Sequence, residues 1–308
     1  MGHDHNHSHG HGHSHGPATY NRAFAIGVGL NLAFVGVEAF YGIMAHSVAL
    51  VADAGHNLSD VLGLLLAWGA SYLARRLPTE RHTYGLRRSS ILAALLNAVL
   101  LLVAVGGIAW ESLRRLGDPG PVSGGIVMWV AALGIVVNGV TALLFAKGRK
   151  GDINIRGAFL HMAADAAVSL GVVIAGFAIN ATGLTWIDPV VSLVIITVIT
   201  AGTWGLLRES FNLAMDAVPE SIDRRKVEEY LTGIDGVIEV HDLHIWGMST
   251  TEPALTVHLV KPDGNHPDEF IACICDELHQ RFGIEHATIQ IERGDGSRLC
   301  EQAPHNVV

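Results

Sequence analysis

The chain has 308 residues, of which half are hydrophobic and 16% are charged, with a mean hydropathy of +0.36. This composition excludes a purely soluble protein, because too few charged side chains remain to cover its surface. The net charge of −9 excludes nucleic acid as a partner, and three cysteines without a CxxC pair indicate a reducing compartment.

The first residues, 1–19, are predicted to form a disordered cytoplasmic tail. A histidine stands at every second position from His3 to His15, and other residues interrupt the series, unlike the unbroken run of an expression tag. The segment has almost nothing apolar to bury. Scattered imidazoles bind divalent transition metals weakly and unselectively, so the tail indicates a metal-handling protein and no more.

Long apolar segments follow and predict an all-α transmembrane bundle over residues 20–210. About 20 apolar residues cross a bilayer. Six such segments occur: Phe24–Ala45, Val48–Leu73, Ser90–Trp110, Gly125–Ala146, Phe159–Ala181 and Pro189–Leu207.

Basic residues are unevenly shared between the connections. The connections between the second and third and between the fourth and fifth segments lie on one side and carry Arg75, Arg76, Arg81, Arg87, Arg88, Lys147, Arg149, Lys150 and Arg156. The other side has only Arg114 and Arg115. By the positive-inside rule both chain ends lie in the cytoplasm, and the short loops favour a bacterial inner membrane.

Residues 211–295 are predicted to form a small cytoplasmic α+β domain, an open-faced sandwich with the order α-β-β-α-β, followed by a tail over 296–308. The segments "PALTVHLV" and "HATIQIE" alternate as strands do. Segments with the periodicity of amphipathic helices precede them in the chain. About 80 residues is small for a lone domain, which suggests dimerisation.

Two HxxxD motifs stand inside the second and fifth apolar segments. Placing an ionisable group at the bilayer centre costs at least ~2.5 kcal/mol of insertion free energy. These residues therefore need interaction partners and indicate a function. His56 and Asp60 share one helical face, as do His161 and Asp165. Two imidazoles and two carboxylates form a closed tetrahedral shell for Zn²⁺ whose charges balance. The alternative is that each pair only links helices by hydrogen bonds.

Other polar residues in the apolar segments are ambiguous. Asp53, one turn before His56, is either a relay carboxylate in the metal cavity or a polar residue near the interface. Glu38 allows the same two interpretations. For Asn57 and Asn138 we favour hydrogen bonds between helices.

The motifs "SVALVADAGHNLSD", "FLHMAAD", "HDLHIW" and "HATIQIE", with the histidine-rich start, resemble the zinc-transporting branch of the cation diffusion facilitator family. The resemblance covers Ala23 to Glu292. It implies a homodimeric metal/proton antiporter with six helices per protomer and a transport site at His56, Asp60, His161 and Asp165. It also implies a zinc-binding cytoplasmic domain with a ferredoxin-like or metallochaperone-like fold.

In the cytoplasmic domain the resemblance implies zinc ligands at His241, His258, His286 and Glu292. Strand parity supports the last three, which point away from the apolar face. His244 is either a ligand or a residue that supports the ligands or packs beside them. Related eukaryotic members end in a Cys-containing pair of ligands, whereas this chain departs from that pattern and has only Cys300 and, further on, His305. A bridging site contributed by the tail is left open.

The sequence also gives expectations for five residues outside the two proposed metal sites. The resemblance implies a hinge pair between Arg88 and Asp216. His82, without a second histidine at Leu86, is interpreted as a solvated loop residue. Cys273 and Cys275 are predicted to be small buried hydrophobes.

The sequence thus favours export of Zn²⁺, with Cd²⁺ and Co²⁺ as alternatives, in exchange for protons. A membrane-anchored zinc sensor or storage protein stays open, but it leaves the mid-membrane His and Asp unexplained. A channel is disfavoured because conduction needs weak sites. An enzyme is disfavoured because a shell of four protein ligands leaves no open position for substrate or water.

Overall fold

The structure is a computed structural model that describes residues 18–74, 76–146, 153–262, 268–294 and residue 300. The predicted metal-binding tail, His305, Arg75 and the basic residues 147–150 lie outside the described residues. The elements in chain order are α1 (Ala18–Met44), α2 (Val48–Ala74), α3 (Ser89–Gly117), α4 (Gly124–Ala146), α5 (Ile153–Thr182), α6 (Ile187–Ala214), α7 (Arg224–Thr232), β1 (Glu239–Gly247), β2 (Pro253–Val260), α8 (Asp268–Phe282) and β3 (His286–Glu292).

Each predicted apolar segment coincides with one of the helices α1–α6, and only the first extends beyond its helix, by the single residue Ala45. Four helical segments in the described part of the chain are long and apolar enough to cross a membrane: Ser89–Gly117, Gly124–Leu144, Phe159–Thr182 and Ile187–Ala214. Val28–Met44 in α1 is a shorter apolar helix. The chain is therefore a multi-pass helical membrane protein, and crossings by α1 and α2 stay predictions.

The chain divides into two compact units. One contains α1, the first part of α2, α4, α5 and the start of α6. The other contains the rest of α2, α3, the rest of α6 and the C-terminal domain.

In the first unit, α4 and α5 approach each other through glycine. A Cβ atom on Gly176 would lie 2.7 Å from the Met128 nitrogen, and one on Gly124 would lie 2.7 Å from the Gly176 oxygen. Small residues allow such close helix contacts in membranes, where packing rather than hydrophobic burial drives association. This contact packs α5, which carries His161 and Asp165, directly against α4.

Also in the first unit, Asp188 at the start of α6 caps the start of α2. Its carboxylate is fully buried and accepts hydrogen bonds from the backbone N–H groups of Val48 at 2.6 Å and Ala49 at 3.4 Å. Ser47 donates its hydroxyl to the same carboxylate. The first N–H groups of a helix have no partner within the helix, so this cap from another helix fixes where α2 begins.

The C-terminal domain contains a three-stranded sheet in the order β1-β2-β3, with β1 antiparallel and β3 parallel to β2. Its core contains Leu255, Val257 and Leu259 of β2, as the alternation predicted. The prediction for the cysteines is wrong, since Cys273 is exposed and Cys275 only partly buried. The helix α8 buries Ile274 and Leu278 instead.

Candidate metal sites

The first candidate metal site brings together α2 and α5. Asp165 is 3% exposed and lies between two imidazoles, with one carboxylate oxygen 3.6 Å from His56 Nε2 and the other 3.7 Å from His161 Nε2. The two rings are 6.1 Å apart and nearly perpendicular. Helical spacing alone explains the pairing of His161 with Asp165, whereas the packing of α5 near α2 brings in His56.

Asp60 stands on the next turn of α2. His56 and Asp60 each offer a ligand atom within 4.8 Å of the other, because residues four apart share one face of a helix. His56 is therefore the neighbour common to both predicted carboxylates.

The separations around Asp165 match those of zinc ligands. A direct N–H···O hydrogen bond measures about 2.9 Å, shorter than the 3.6 and 3.7 Å observed. Two ligand atoms on one tetrahedral Zn²⁺, each about 2.0–2.1 Å from it, lie about 3.3 Å apart. The arrangement can thus accept a small divalent cation after a slight contraction.

Several buried polar residues lie in the same unit as this site. The amide of Asn57 donates to the Glu38 carboxylate at 3.1 Å, so the predicted hydrogen bond between helices is confirmed for Asn57. Asp53 is 1% exposed and accepts a 3.4 Å hydrogen bond from the Ser169 hydroxyl. Asn138 is also buried, yet its side chain makes no hydrogen bond within the described residues, so the hydrogen bond expected of it is absent there.

The second candidate site lies on the sheet of the C-terminal domain. Glu292 Oε1 is 3.0 Å from His258 Nδ1 and 3.6 Å from His241 Nε2, and the two histidine rings are 5.3 Å apart. His241 is 5% exposed, and neither of its ring nitrogens forms a hydrogen bond to any described residue. A buried imidazole without hydrogen bonds is costly unless it has another partner, and a resident Zn²⁺ fits these three residues.

An irregularity in β1 puts His241 on this face. His241 pairs with His258 across the sheet, but the register shifts between His241 and His244. Asp242, inside this bulge, has a positive φ of 52°. An extra residue lets side chains three positions apart share a face. Sequence parity alone therefore did not assign His241.

A carboxylate contacts the second ring nitrogen of each of these two histidines. Asp242 Oδ2 lies 3.6 Å from His258 Nε2, and Glu239 Oε1 lies 3.4 Å from His241 Nδ1. A carboxylate on the second nitrogen orients a metal-binding histidine and raises its basicity. His244 contacts the other oxygen of Asp242 at 2.9 Å and belongs to no metal-ligand cluster in the described part of the chain.

The structure does not bring His286 to the cluster. His286 pairs with Ala254, whereas Glu292 pairs with Val260. Six residues of strand separate the two positions by about 20 Å. The His286 ring instead contacts Tyr84 at 5.7 Å, so the expected four-ligand set is not formed within one chain by the described residues.

Cys300 joins the cluster although sequence reasoning left it unassigned. Its Sγ lies 3.4 Å from His258 Nδ1, and His241, His258, Glu292 and Cys300 each offer a ligand atom within 4.8 Å of the others. The sequence signals were a cysteine shortly after a strand that ends in a candidate ligand and the Cys-containing ligand pair of related family members.

The expectations for two loop positions can also be compared with the structure. Arg88 and Asp216 form the expected ion pair; a hinge function stays a prediction. His82 is exposed in the loop after α2 and belongs to no metal-ligand cluster of the described residues.

Comparison with known proteins identifies the chain's relatives. Residues 24–213 match the cation efflux transmembrane domain, and residues 219–294 match the cytoplasmic domain of cation efflux proteins. The chain is 37% identical to the zinc transporter ZitB of Escherichia coli (strain K12), over 88% of this chain and 87% of that protein. It is 34% identical to the cation efflux system protein CzcD of Alcaligenes sp. (strain CT14), over 93% and 90%. It is 32% identical to a cadmium, cobalt and zinc/H(+)-K(+) antiporter of Bacillus subtilis (strain 168), over 86% and 88%.

Proposed function

The chain belongs to the cation efflux family of membrane transporters, and we propose that it exports Zn²⁺ in exchange for protons by alternating access. The names of the relatives support zinc, with cadmium and cobalt as further candidates. An N₂O₂ shell accepts all three ions. The alternatives of a channel, an enzyme, or a sensor without flux have no support from an efflux family.

We assign the transport site to His56, Asp60, His161 and Asp165. The observation that carries this assignment is Asp165, which is buried between two imidazoles at distances close to those of zinc ligands. Two carboxylates neutralise one divalent cation, so the loaded site is close to neutral in the low-dielectric interior.

Proton exchange follows from the same ligands. Histidine binds metal as the neutral imidazole and loses affinity when protonated, and its ordinary pKa of about 6.5 lies in the physiological range. Without metal, two carboxylates facing each other would favour taking up protons before the site turns. Asp53 and Glu38, buried beside His56, are candidates for passing those protons.

We further propose that both termini face the cytoplasm of a bacterial inner membrane and that the protein acts as a homodimer. Arg76, Arg81, Arg87 and Arg88 in the α2–α3 connection support this orientation. The C-terminal domain then binds cytoplasmic zinc through His241, His258 and Glu292, while the histidine-rich tail raises the local metal concentration. His286 is not included.

The test is zinc flux in sealed proteoliposomes with and without an imposed pH gradient. Asp165→Ala removes the central carboxylate, and Asp118→Ala, at an exposed position after α3, is the matched control. We expect gradient-dependent flux in the wild type and in Asp118→Ala, and none in Asp165→Ala. Flux indifferent to the gradient would refute antiport, and flux retained by Asp165→Ala would refute the site.

A further inference from the structure

We propose that a cavity in the unit that contains the C-terminal domain is the cytoplasmic entrance through which the metal ion reaches Asp60. This entrance cavity has a volume of about 630 Å³. Parts of α2, α3 and α6 form its walls, and the loop between β1 and β2 lines it through Ser249, Thr250, Thr251 and Glu252. The inference rests on the zinc export proposed above and names the route to the transport site.

The entrance cavity extends far along α2. It is lined there by Ala74, the last residue of the helix, and by Gly63. At a rise of about 1.5 Å per residue, these two residues are about 16 Å apart along the helix axis. The hydrocarbon core of a bilayer is about 30 Å thick. In the orientation proposed above, the cavity therefore leads from the cytoplasmic end of α2 to about the middle of the membrane.

The inner end of the entrance cavity lies one helical turn from a proposed transport ligand. Gly63 follows Asp60 by three residues on α2, and residues three apart stand on the same side of a helix. Asn97 of α3 also lines the cavity, and a Cβ atom added to Gly63 would lie 3.0 Å from Asn97 Nδ2. An amide in an apolar helix is costly unless it meets another polar group or water. Asn97 therefore favours a cavity filled with water over one filled with lipid tails.

The β1–β2 loop is fixed at the outer end of the entrance cavity. The backbone N–H of Thr250 donates to the hydroxyl of Ser90, near the start of α3, at 3.1 Å. Glu252 forms an ion pair of 2.9 Å with Arg87. Both Ser90 and Glu252 line the cavity. The loop thus borders the mouth of the cavity, and Arg87 balances the charge of Glu252 there.

The polar groups of the entrance cavity suit passage of an ion better than tight binding, because a pathway needs weak sites. Most of them are neutral hydroxyl and amide groups, and Glu252, the one carboxylate among the described lining residues, is paired. Six water molecules occupy about 180 Å³ at about 30 Å³ each. A hydrated divalent ion therefore fits in the cavity, and it would exchange water for protein ligands when it reaches Asp60.

The first test measures whether cations reach the entrance cavity in full-length protein in nanodiscs, with Cys273, Cys275 and Cys300 replaced by serine. Ala94→Cys lies on the cavity wall. Val103→Cys is the matched control, because Val103 is 69% exposed and stands on the opposite side of α3. We expect a cationic methanethiosulfonate to label Ala94→Cys at least ~10-fold faster than Val103→Cys, because ions do not enter hydrocarbon.

Two outcomes of this labelling would overturn the proposal. If only an uncharged aromatic maleimide labelled Ala94→Cys, lipid rather than water would fill the cavity. If the cationic reagent labelled both positions at equal rates, the cavity would be no more accessible to ions than the outer face of α3.

The second test changes the charge at the mouth. Glu252→Gln leaves the positive charge of Arg87 unpaired, so the KM for zinc flux should rise about two- to tenfold at low ionic strength and less at high salt, with kcat unchanged. Arg87→Gln/Glu252→Gln should restore the wild-type KM. Glu229→Gln, at an exposed position on α7, is the control for the loss of one negative charge. A wild-type KM in Glu252→Gln would mean that zinc does not enter through this mouth.

Failure of the entrance can be distinguished from failure of the transport function. If wild-type proteoliposomes show no zinc flux, the proposed export is refuted, and so is an entrance that serves it, whatever the labelling shows. If the wild type exports zinc but the cationic reagent does not label Ala94→Cys, only the entrance is refuted and the export stands.

Discussion

The two candidate metal sites are built by different means. In the membrane domain, each HxxxD pair is fixed by the turn of one helix, so neighbours in sequence are neighbours in space. In the C-terminal domain, His241, His258 and Glu292 come from three different strands, and Cys300 follows the last of them. The first site depends on helix packing and the second on strand register, so each is sensitive to different changes.

The largest effect is expected from Asp165→Asn. The amide keeps the shape but loses the charge that balances the metal, so transport should fall at least ~100-fold. Zinc bound through the C-terminal domain should be unchanged. Measurement combines proteoliposome flux with zinc stoichiometry in protein lacking residues 1–17, which removes binding by the tail. If Asp165→Asn reduced both the zinc flux and the zinc bound through the C-terminal domain, the two sites would not be independent.

Asp242→Asn tests the second site in the same way. The amide cannot support the basicity of His258, so zinc affinity of the C-terminal domain should fall about 10–100-fold. Competition with a chromophoric chelator in tail-deleted protein measures this affinity. Glu220→Gln, an exposed position before α7, is the control for charge. Affinity equal to that of the wild type would mean that Asp242 does not orient the ligand.

Gly176→Ala should destabilise the membrane domain by about 1–3 kcal/mol, because its methyl group meets the backbone of Met128 at 2.7 Å. Gly171→Ala is the matched control, since a Cβ there meets nothing within 4 Å. Thermal unfolding in detergent should show a lower Tm for Gly176→Ala only. Equal Tm values would show that the glycine contact is not required.

The smallest effect is expected from deleting residues 1–17. If the tail only concentrates metal, flux should fall about two- to threefold at low zinc and recover at saturating zinc. Such a factor corresponds to a change of less than ~1 kcal/mol in the apparent free energy of zinc binding. Complete loss of flux at all zinc concentrations would mean that the tail supplies an essential ligand. The measurement is a zinc titration of flux.

Sequence reasoning reached the membrane site more completely than the soluble one, for a physical reason. Helical periodicity alone predicts that His161 and Asp165 meet, and the cost of burying them predicts that they bind something. In the sheet, parity assigned His258 and Glu292 to one face. Parity did not reveal the bulge at Asp242 or the distance along β3 between His286 and Glu292. It also did not reveal that Cys300 lies close to His258. These features depend on strand register and tertiary structure.

The cap made by Asp188 has a mechanical consequence. The start of α2 cannot slide along the start of α6 without leaving the N–H groups of Val48 and Ala49 unpaired, so this junction would act as a pivot in any movement of α2. His56 stands eight residues further along α2, about 12 Å from the pivot. A small tilt of α2 about its capped end would therefore swing the imidazole sideways while its depth stays nearly constant. Asp188 would thus set the arc along which His56, a proposed metal ligand, moves.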